Sequence, residues 1–239
     1  MLLTVRPVNR RLFAEFLGTA TLVSIVVGSG IMASNLTNDL GIELLINALA
    51  TVAGLGVLIW VLGPISGAHF NPAVTLVAVV RSEIARLEAV GYIGVQIVGA
   101  VAGALLANAM FSLPVVETSH HCRSTAGLWV GEVVATAGLL LVIGAITRTG
   151  HGHLGPVLVP AWIGAAYFFT ASTSFANPAA TIGRMFSDSF AGISPASVPA
   201  FIGFQLLGAA LGAGLTEVLY PRKRPAPLDL PDPVHNRTN

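Results

Sequence analysis

From residue 44 to 80, and again from 154 to 183, the chain runs without a charged side chain. A bilayer's hydrocarbon core, about 30 Å thick, is crossed by roughly 20 helical residues. Each stretch is therefore too long for one crossing and too apolar to lie in water. Four further uncharged stretches, 16–38, 89–116, 133–147 and 189–216, supply one span each. The expected spans are 11–33, 42–62, 88–111, 127–147, 156–175 and 197–220. Charged residues make up only 10% of the 239, against roughly a quarter in soluble domains, so lipid is the expected solvent.

The surplus in the two long stretches centres on one triplet. Asn71-Pro72-Ala73 lies in the segment Ser66 to Val74, and Asn177-Pro178-Ala179 in the segment Ser172 to Ala180. Proline suits the first turn of a helix, where its missing N–H has no partner to lose. Each triplet thus reads as a loop entering a helix too short to cross. Irregular backbone at membrane depth survives only where protein or a water-filled cavity covers it, so two such loops imply a pore.

The halves also repeat. Tyr92-Ile93-Gly94-Val95-Gln96 returns as Phe201-Ile202-Gly203-Phe204-Gln205, Gly103-Ala104 as Gly212-Ala213, and Glu15 with Thr19 as Glu132 with Thr136. Three spans per repeat invert the second half relative to the first, and the short helices meet near the midplane from opposite faces. The expected fold is an all-α membrane protein: six transmembrane helices plus two re-entrant half-helices in an inverted repeat. One domain, residues 11–220, holds both repeats (about 11–111 and 127–220), between an N-terminal segment 1–10 and a proline-rich tail 221–239 without a core.

Arg6, Arg10, Arg11, Arg81, Arg86, Arg148, Arg222, Lys223 and Arg224 fall on one expected side and Arg123 on the other. The bias places both termini in the cytoplasm; the expected location is the cell's inner membrane. The first apolar run, Leu12 to Ala33, carries Glu15 and no clear cleavage site, so it reads as a retained span. A net charge of +1 gives no support for a nucleic-acid partner, and Cys122 as the only cysteine excludes an intramolecular disulfide. No metal-ligand spacing, nucleophile constellation or phosphate loop suggests an enzyme or a cofactor.

Ala14-Glu15-Phe16-Leu17-Gly18-Thr19, Ser66-Gly67-Ala68-His69-Phe70-Asn71-Pro72-Ala73-Val74-Thr75 and the second Asn-Pro-Ala resemble the aquaporin, or major intrinsic protein, family over about residues 10–220. The resemblance implies the aquaporin fold and a homotetramer in the lipid bilayer with one pore per subunit. Each half-helix directs a positive end, worth about half an elementary charge, at the midplane and opposes cations there. Asn71 and Asn177 read both as helix caps and as pore-lining donors with amides free for a passing hydroxyl or water oxygen. Glu15 and Glu132 read either as a proton relay or, as in the family, as acceptors for the backbone of a re-entrant loop. Gln96 and Gln205 satisfy further buried polar groups.

The resemblance also implies a selectivity filter. Carried over by distance from the triplets, its positions are Thr51, Ala165, Ser174 and Ala180. Most members have an arginine at the last and bulkier side chains elsewhere. Gly164 and Ala166 beside Ala165 are small too, so a slip of one residue leaves the expected constriction small and uncharged. Such a filter passes solutes wider than water, and it lacks the five donors of a guanidinium. Arg184, one turn past Ala180, points either toward the pore or to loop partners at the outer surface.

The segment from Ser172 through Arg184-Met185-Phe186-Ser187-Asp188 is similar to the bacterial branch associated with arsenic resistance, which lacks the filter arginine. Arsenite and antimonite near neutral pH are uncharged trihydroxides, polyol-like in shape. The expected solutes are therefore these and glycerol-like polyols, with some water. A water-selective channel is the nearer alternative. An energised secondary transporter, which also uses inverted repeats and broken helices, is the alternative of another class; it needs a coupling-ion site, and Glu15 and Glu132 are already assigned to the loops. His120, His121 and Cys122, one thiol beside two imidazoles, make a poor metal site and read as a solvated loop.

Overall fold

The structure, a computed structural model, describes residues 7–222. Arg6, Lys223, Arg224 and the rest of the expected tail lie outside the described residues. In chain order the helices are α1 (Val8–Leu36), α2 (Leu40–Ser66), α3 (Pro72–Val80), α4 (Arg86–Met110), α5 (Ala126–Arg148), α6 (Gly155–Phe169), α7 (Pro178–Arg184) and α8 (Val198–Leu219). Six have the length and hydropathy to cross a membrane, α6 together with the 3₁₀ turn Gly152–Leu154 before it and α8 with the turn Pro195–Ser197. The other two, α3 and α7, are the half-helices. At 1.5 Å per residue they reach only about 14 and 11 Å.

Local chemistry explains where these elements begin and end. Asp39 caps α2, its Oδ1 accepting from the backbone N–H groups of Gly41 and Ile42 at 2.8 and 3.0 Å. Gly67, with φ of 91°, closes α2 in the left-handed conformation and turns the chain back toward the midplane. The half-helices each start with an asparagine cap and proline at the first position. The fifth span is shorter than expected: α6 stops at Phe169 and Thr170 is extended. The chain must return to the midplane by Asn177, so residues 170–177 form the second re-entrant loop.

Both ends of the described chain lie on one side. Arg11 near the start of α1 pairs with Glu88 in the first turn of α4 at 2.6 Å, and Arg222 beyond α8 donates through Nη2 to the carbonyl oxygen of Arg81, which caps the C-terminus of α3. This is the terminal side; the loops 111–125 and 185–197 mark the far side.

The α1–α4 and α5–α8 pairs are the closest-packed in their halves. A Cβ at Gly99 would lie 2.6 Å from the carbonyl oxygen of Phe16, and one at Gly208 2.5 Å from that of Val133. At Gly103 and Gly212 it would overlap the carbonyl oxygens of Ala20 and Ala137. The repeated glycines thus serve packing within the subunit, bringing backbones close enough for dense van der Waals contact where lipid gives no hydrophobic drive.

Gly212→Ala is expected to destabilise the fold by about 1–3 kcal/mol, the usual cost of overpacking. Gly203→Ala, whose added carbon meets nothing within 4 Å, is neutral or slightly stabilising. Thermal unfolding in detergent checks the pair. Equal midpoints would contradict the close crossing.

Candidate functional site

The two re-entrant loops have the same backbone. Ala68 and Phe70 in the first have φ of 51° and 49°; Ser174 and Ala176, 106 positions on, have 55° and 48°. Left-handed conformations cost non-glycine residues free energy, so each loop needs support. In the first, Glu15 Oε1 accepts from Ser66 Oγ at 2.6 Å and the His69 N–H at 3.0 Å, while Oε2 accepts from the Phe70 N–H at 2.7 Å and Gln96 Nε2 at 2.8 Å. In the second, Glu132 Oε1 accepts from the Phe175 N–H at 2.9 Å, and Oε2 from the Ala176 N–H at 2.9 Å and Gln205 Nε2 at 2.6 Å. Gln96 and Gln205 then donate to Thr75 and Thr181 at 3.0 and 2.9 Å, and these hydroxyls donate to the carbonyl oxygens of Asn71 and Asn177. Carboxylate, glutamine and threonine thus form one buried network per half.

At the midplane the asparagines do more than cap. Asn71 Oδ1 accepts from the Ala73 N–H at 2.9 Å, and Asn177 Oδ1 from those of Ala179 and Ala180 at 3.0 and 3.2 Å. Asn71 Nδ2 also donates to the carbonyl oxygen of Ala176 at 2.7 Å, and Asn177 Nδ2 to that of Phe70 at 2.8 Å. This corrects the expectation of free amides. One N–H of each ties its half-helix to the opposite loop, leaving one for a solute. Both asparagines line a cavity of about 280 Å³ whose wall draws on both repeats.

Three of the four expected filter residues lie on that wall: Thr51, Ser174 and Ala180, all buried. Ala165 does not. It is on the exposed face of α6, whose cavity face carries Val159, Ile163 and Tyr167 at four-residue spacing. At about 100° per residue, the two-residue step from Ala165 to Tyr167 turns a side chain from outside to inside. The cavity-facing position thus lies two residues nearer the second triplet than the distance carried over from it. The wall is therefore not uniformly small: Tyr167 contributes a ring, and its hydroxyl lies 3.2 Å from Thr51 Oγ1. Ser174 Oγ, also buried, has no hydrogen-bond partner among the described residues.

Arg184 lines the cavity, not the outer surface. Its Nε donates to the carbonyl oxygen of Ala191, and its guanidinium carbon lies 3.3 Å from the centre of the Phe175 ring. Arg123, from the loop before α5, approaches the same ring at 5.1 Å and donates to the carbonyl oxygens of Gly192 and Phe190. Phe175 thus fastens the far mouth to two loops. At the other mouth Arg81 lines the cavity, and Tyr92 donates to the carbonyl oxygen of Ser66 at 2.9 Å, bracing the first loop. Sequence reasoning missed Tyr167, Phe175 and Arg81. The first charge after an uncharged run was a readable signal for Arg81 only. Near the far surface, His121 faces Asp188 at 3.7 Å and Cys122 is exposed. Among the described residues no group of three or more metal-ligating side chains converges.

Comparison with known proteins extends these observations. Residues 3–174 match the family described as Major intrinsic protein. The chain is 46% identical over 217 residues to the aquaglyceroporin AqpS of Rhizobium meliloti, covering 91% of this chain and 93% of that one. It is 44% identical over 151 residues to human aquaporin-2, covering 61% of this chain and 54% of that one. Among solved structures, the aquaglyceroporin of Plasmodium falciparum superposes with a TM-score of 0.68 at 21% identity, over 90% of this chain and 98% of that one; this similarity concerns the fold.

Glu132→Gln replaces an acceptor oxygen by a donor amide facing either the Phe175 or the Ala176 N–H. It is expected to cost at least about 2 kcal/mol of stability, as hydrogen bonds to a buried charge are lost and donors are left opposed. Water and solute permeability should fall together in liposomes. A variant that keeps wild-type flux and unfolding temperature would remove the loop-supporting role.

Proposed function

The chain belongs to the major intrinsic protein family of membrane channels, and from that premise we propose that it conducts small uncharged solutes passively: glycerol-like polyols and the trihydroxides of trivalent arsenic and antimony, with some water. The observation that carries this reading is the far half of the cavity wall. Thr51 and Tyr167 offer hydroxyls there, and Ser174 and Ala180, both small, leave room beside them. A polyol or trihydroxide needs several weak hydrogen bonds in place of water without being held. The 46% identical relative is described as an aquaglyceroporin, which supports glycerol. The arsenite and antimonite assignment rests on the resemblance of residues 172–188 to the arsenic-resistance branch.

On this reading Asn71-Pro72-Ala73 and Asn177-Pro178-Ala179 form the midplane constriction. Glu15 and Glu132 hold the loops, and Thr51, Tyr167, Ser174 and Ala180 form the filter, with Tyr167 in place of Ala165. The protein acts as a homotetramer in the inner membrane with both termini cytoplasmic; Arg10, Arg11, Arg81, Arg86, Arg148 and Arg222 on the terminal side favour that orientation. A water-selective reading is favoured by one observation, the Tyr167 ring on the wall.

Stopped-flow light scattering and uptake in proteoliposomes, with water, glycerol and arsenite, separates the two. Wild-type protein is expected to raise glycerol and arsenite flux about tenfold or more over empty liposomes, and Ala180→Arg to lower both about fivefold while water changes less, as a wide guanidinium restricts larger solutes first. Water flux alone, or solute ratios unmoved by the substitution, would overturn the wide-filter reading.

A further inference from the structure

The most costly group at the far end of the cavity is one the two loop networks do not use. Arg184 ends α7 and is 3% exposed. A guanidinium at that depth is expensive unless paired, and an unpaired one points to function. Among the described residues Arg184 has no ion pair. Its neighbours hold it in place without neutralising it. Ala191 takes one N–H, Phe175 offers a ring face, and Arg123 on the same ring adds charge of the same sign.

Nη1 and Nη2 of Arg184 have no hydrogen-bond partner among the described residues, yet they are not sealed away. Nε and Nη2 of Arg81 are fully enclosed orphans; the terminal nitrogens of Arg184 are not. Since the side chain lines the cavity, its free donors face the solute path. Ala180 lies one turn earlier on the same wall. Like charges at that spacing repel, so a small residue at 180 suits a guanidinium at 184.

We propose that Arg184 is a specificity-determining residue of the far mouth. It presents a fixed positive charge that turns cations away, and a fork of N–H donors to the hydroxyl oxygens of a neutral solute whose remaining hydroxyls meet Thr51 and Tyr167. The donor half of this inference rests on the proposed neutral-solute function; the charge half does not. Its stack on Phe175 and its anchor at Ala191 fix the guanidinium plane, so the fork is preorganised.

The test uses the full chain in proteoliposomes, with sodium leak and the glycerol-to-water permeability ratio as readouts. Arg184→Met, similar in length but uncharged, is expected to raise sodium leak about tenfold or more, as one fixed charge leaves a low-dielectric wall. It should also lower the glycerol-to-water ratio about fivefold as the donors disappear. Arg184→Lys keeps the charge and loses the planar fork, so leak stays at the wild-type level while the ratio falls. An arginine with a structural role only would lower water and glycerol flux together with the unfolding temperature, leaving leak and ratio unmoved, and that result overturns the inference. If Arg184→Met does not assemble, Arg184→Lys decides alone, an unchanged ratio being contradictory. A wild-type protein that passes no glycerol sinks the neutral-solute reading instead, and the sodium arm then decides the role of Arg184.

Discussion

Backbone that leaves a helix inside a membrane must find partners for its N–H groups, and here they find two carboxylates. Glu15 takes the N–H groups of His69 and Phe70, and Glu132 those of Phe175 and Ala176. With those donors satisfied, residues such as Phe70 and Ala176 hold left-handed conformations that would otherwise be unfavourable. The half-helices then start at a fixed depth, and the asparagines lie close enough for each to donate to the opposite loop. The carboxylates, together with the two asparagines, thus set the depth of the midplane and with it the shape of the cavity wall.

The inverted repeat explains why the two supports are alike and makes their differences informative. Both halves use carboxylate, glutamine and threonine in the same order, and both cross their outer helices at paired glycines. Symmetry fails at the mouths. The far one is built from Phe175 between two arginines; the terminal one has Arg81 enclosed near α5 and α8. On the proposed function, conduction through the middle is a property of the repeat, whereas discrimination belongs to residues that the repeat does not duplicate. The proposed solute range follows from that division.

Much of this was legible in the sequence because membranes permit few solutions. Uncharged runs of the right length gave six spans, and a triplet in each surplus gave the half-helices. An offset of 109 shared by Gln96 with Gln205 and by Gly103 with Gly212, together with the return of Glu15 and Thr19 as Glu132 and Thr136, gave the internal pairing. What was not legible depended on which way side chains face. Nothing in the apolar run from Val159 to Phe169 marks its inward face, and a two-residue step exchanges the outward Ala165 for the inward Tyr167. The reciprocal bonds of Asn71 and Asn177 were also hidden, because they join loops more than 100 positions apart. Arg184 was ambiguous for a similar reason: its direction depends on Ala191 and Phe175, whose positions no local pattern records.

Loops held in this way by buried carboxylates suit the proposed function, passive conduction through a standing cavity. Glycerol flux in proteoliposomes, measured with proton and sodium gradients imposed in either direction and then collapsed by ionophores, tests it most directly. The account predicts flux that follows the glycerol gradient alone and is unchanged when the ion gradients vanish. Flux that stopped with them, or ran against the glycerol gradient while they lasted, would contradict it.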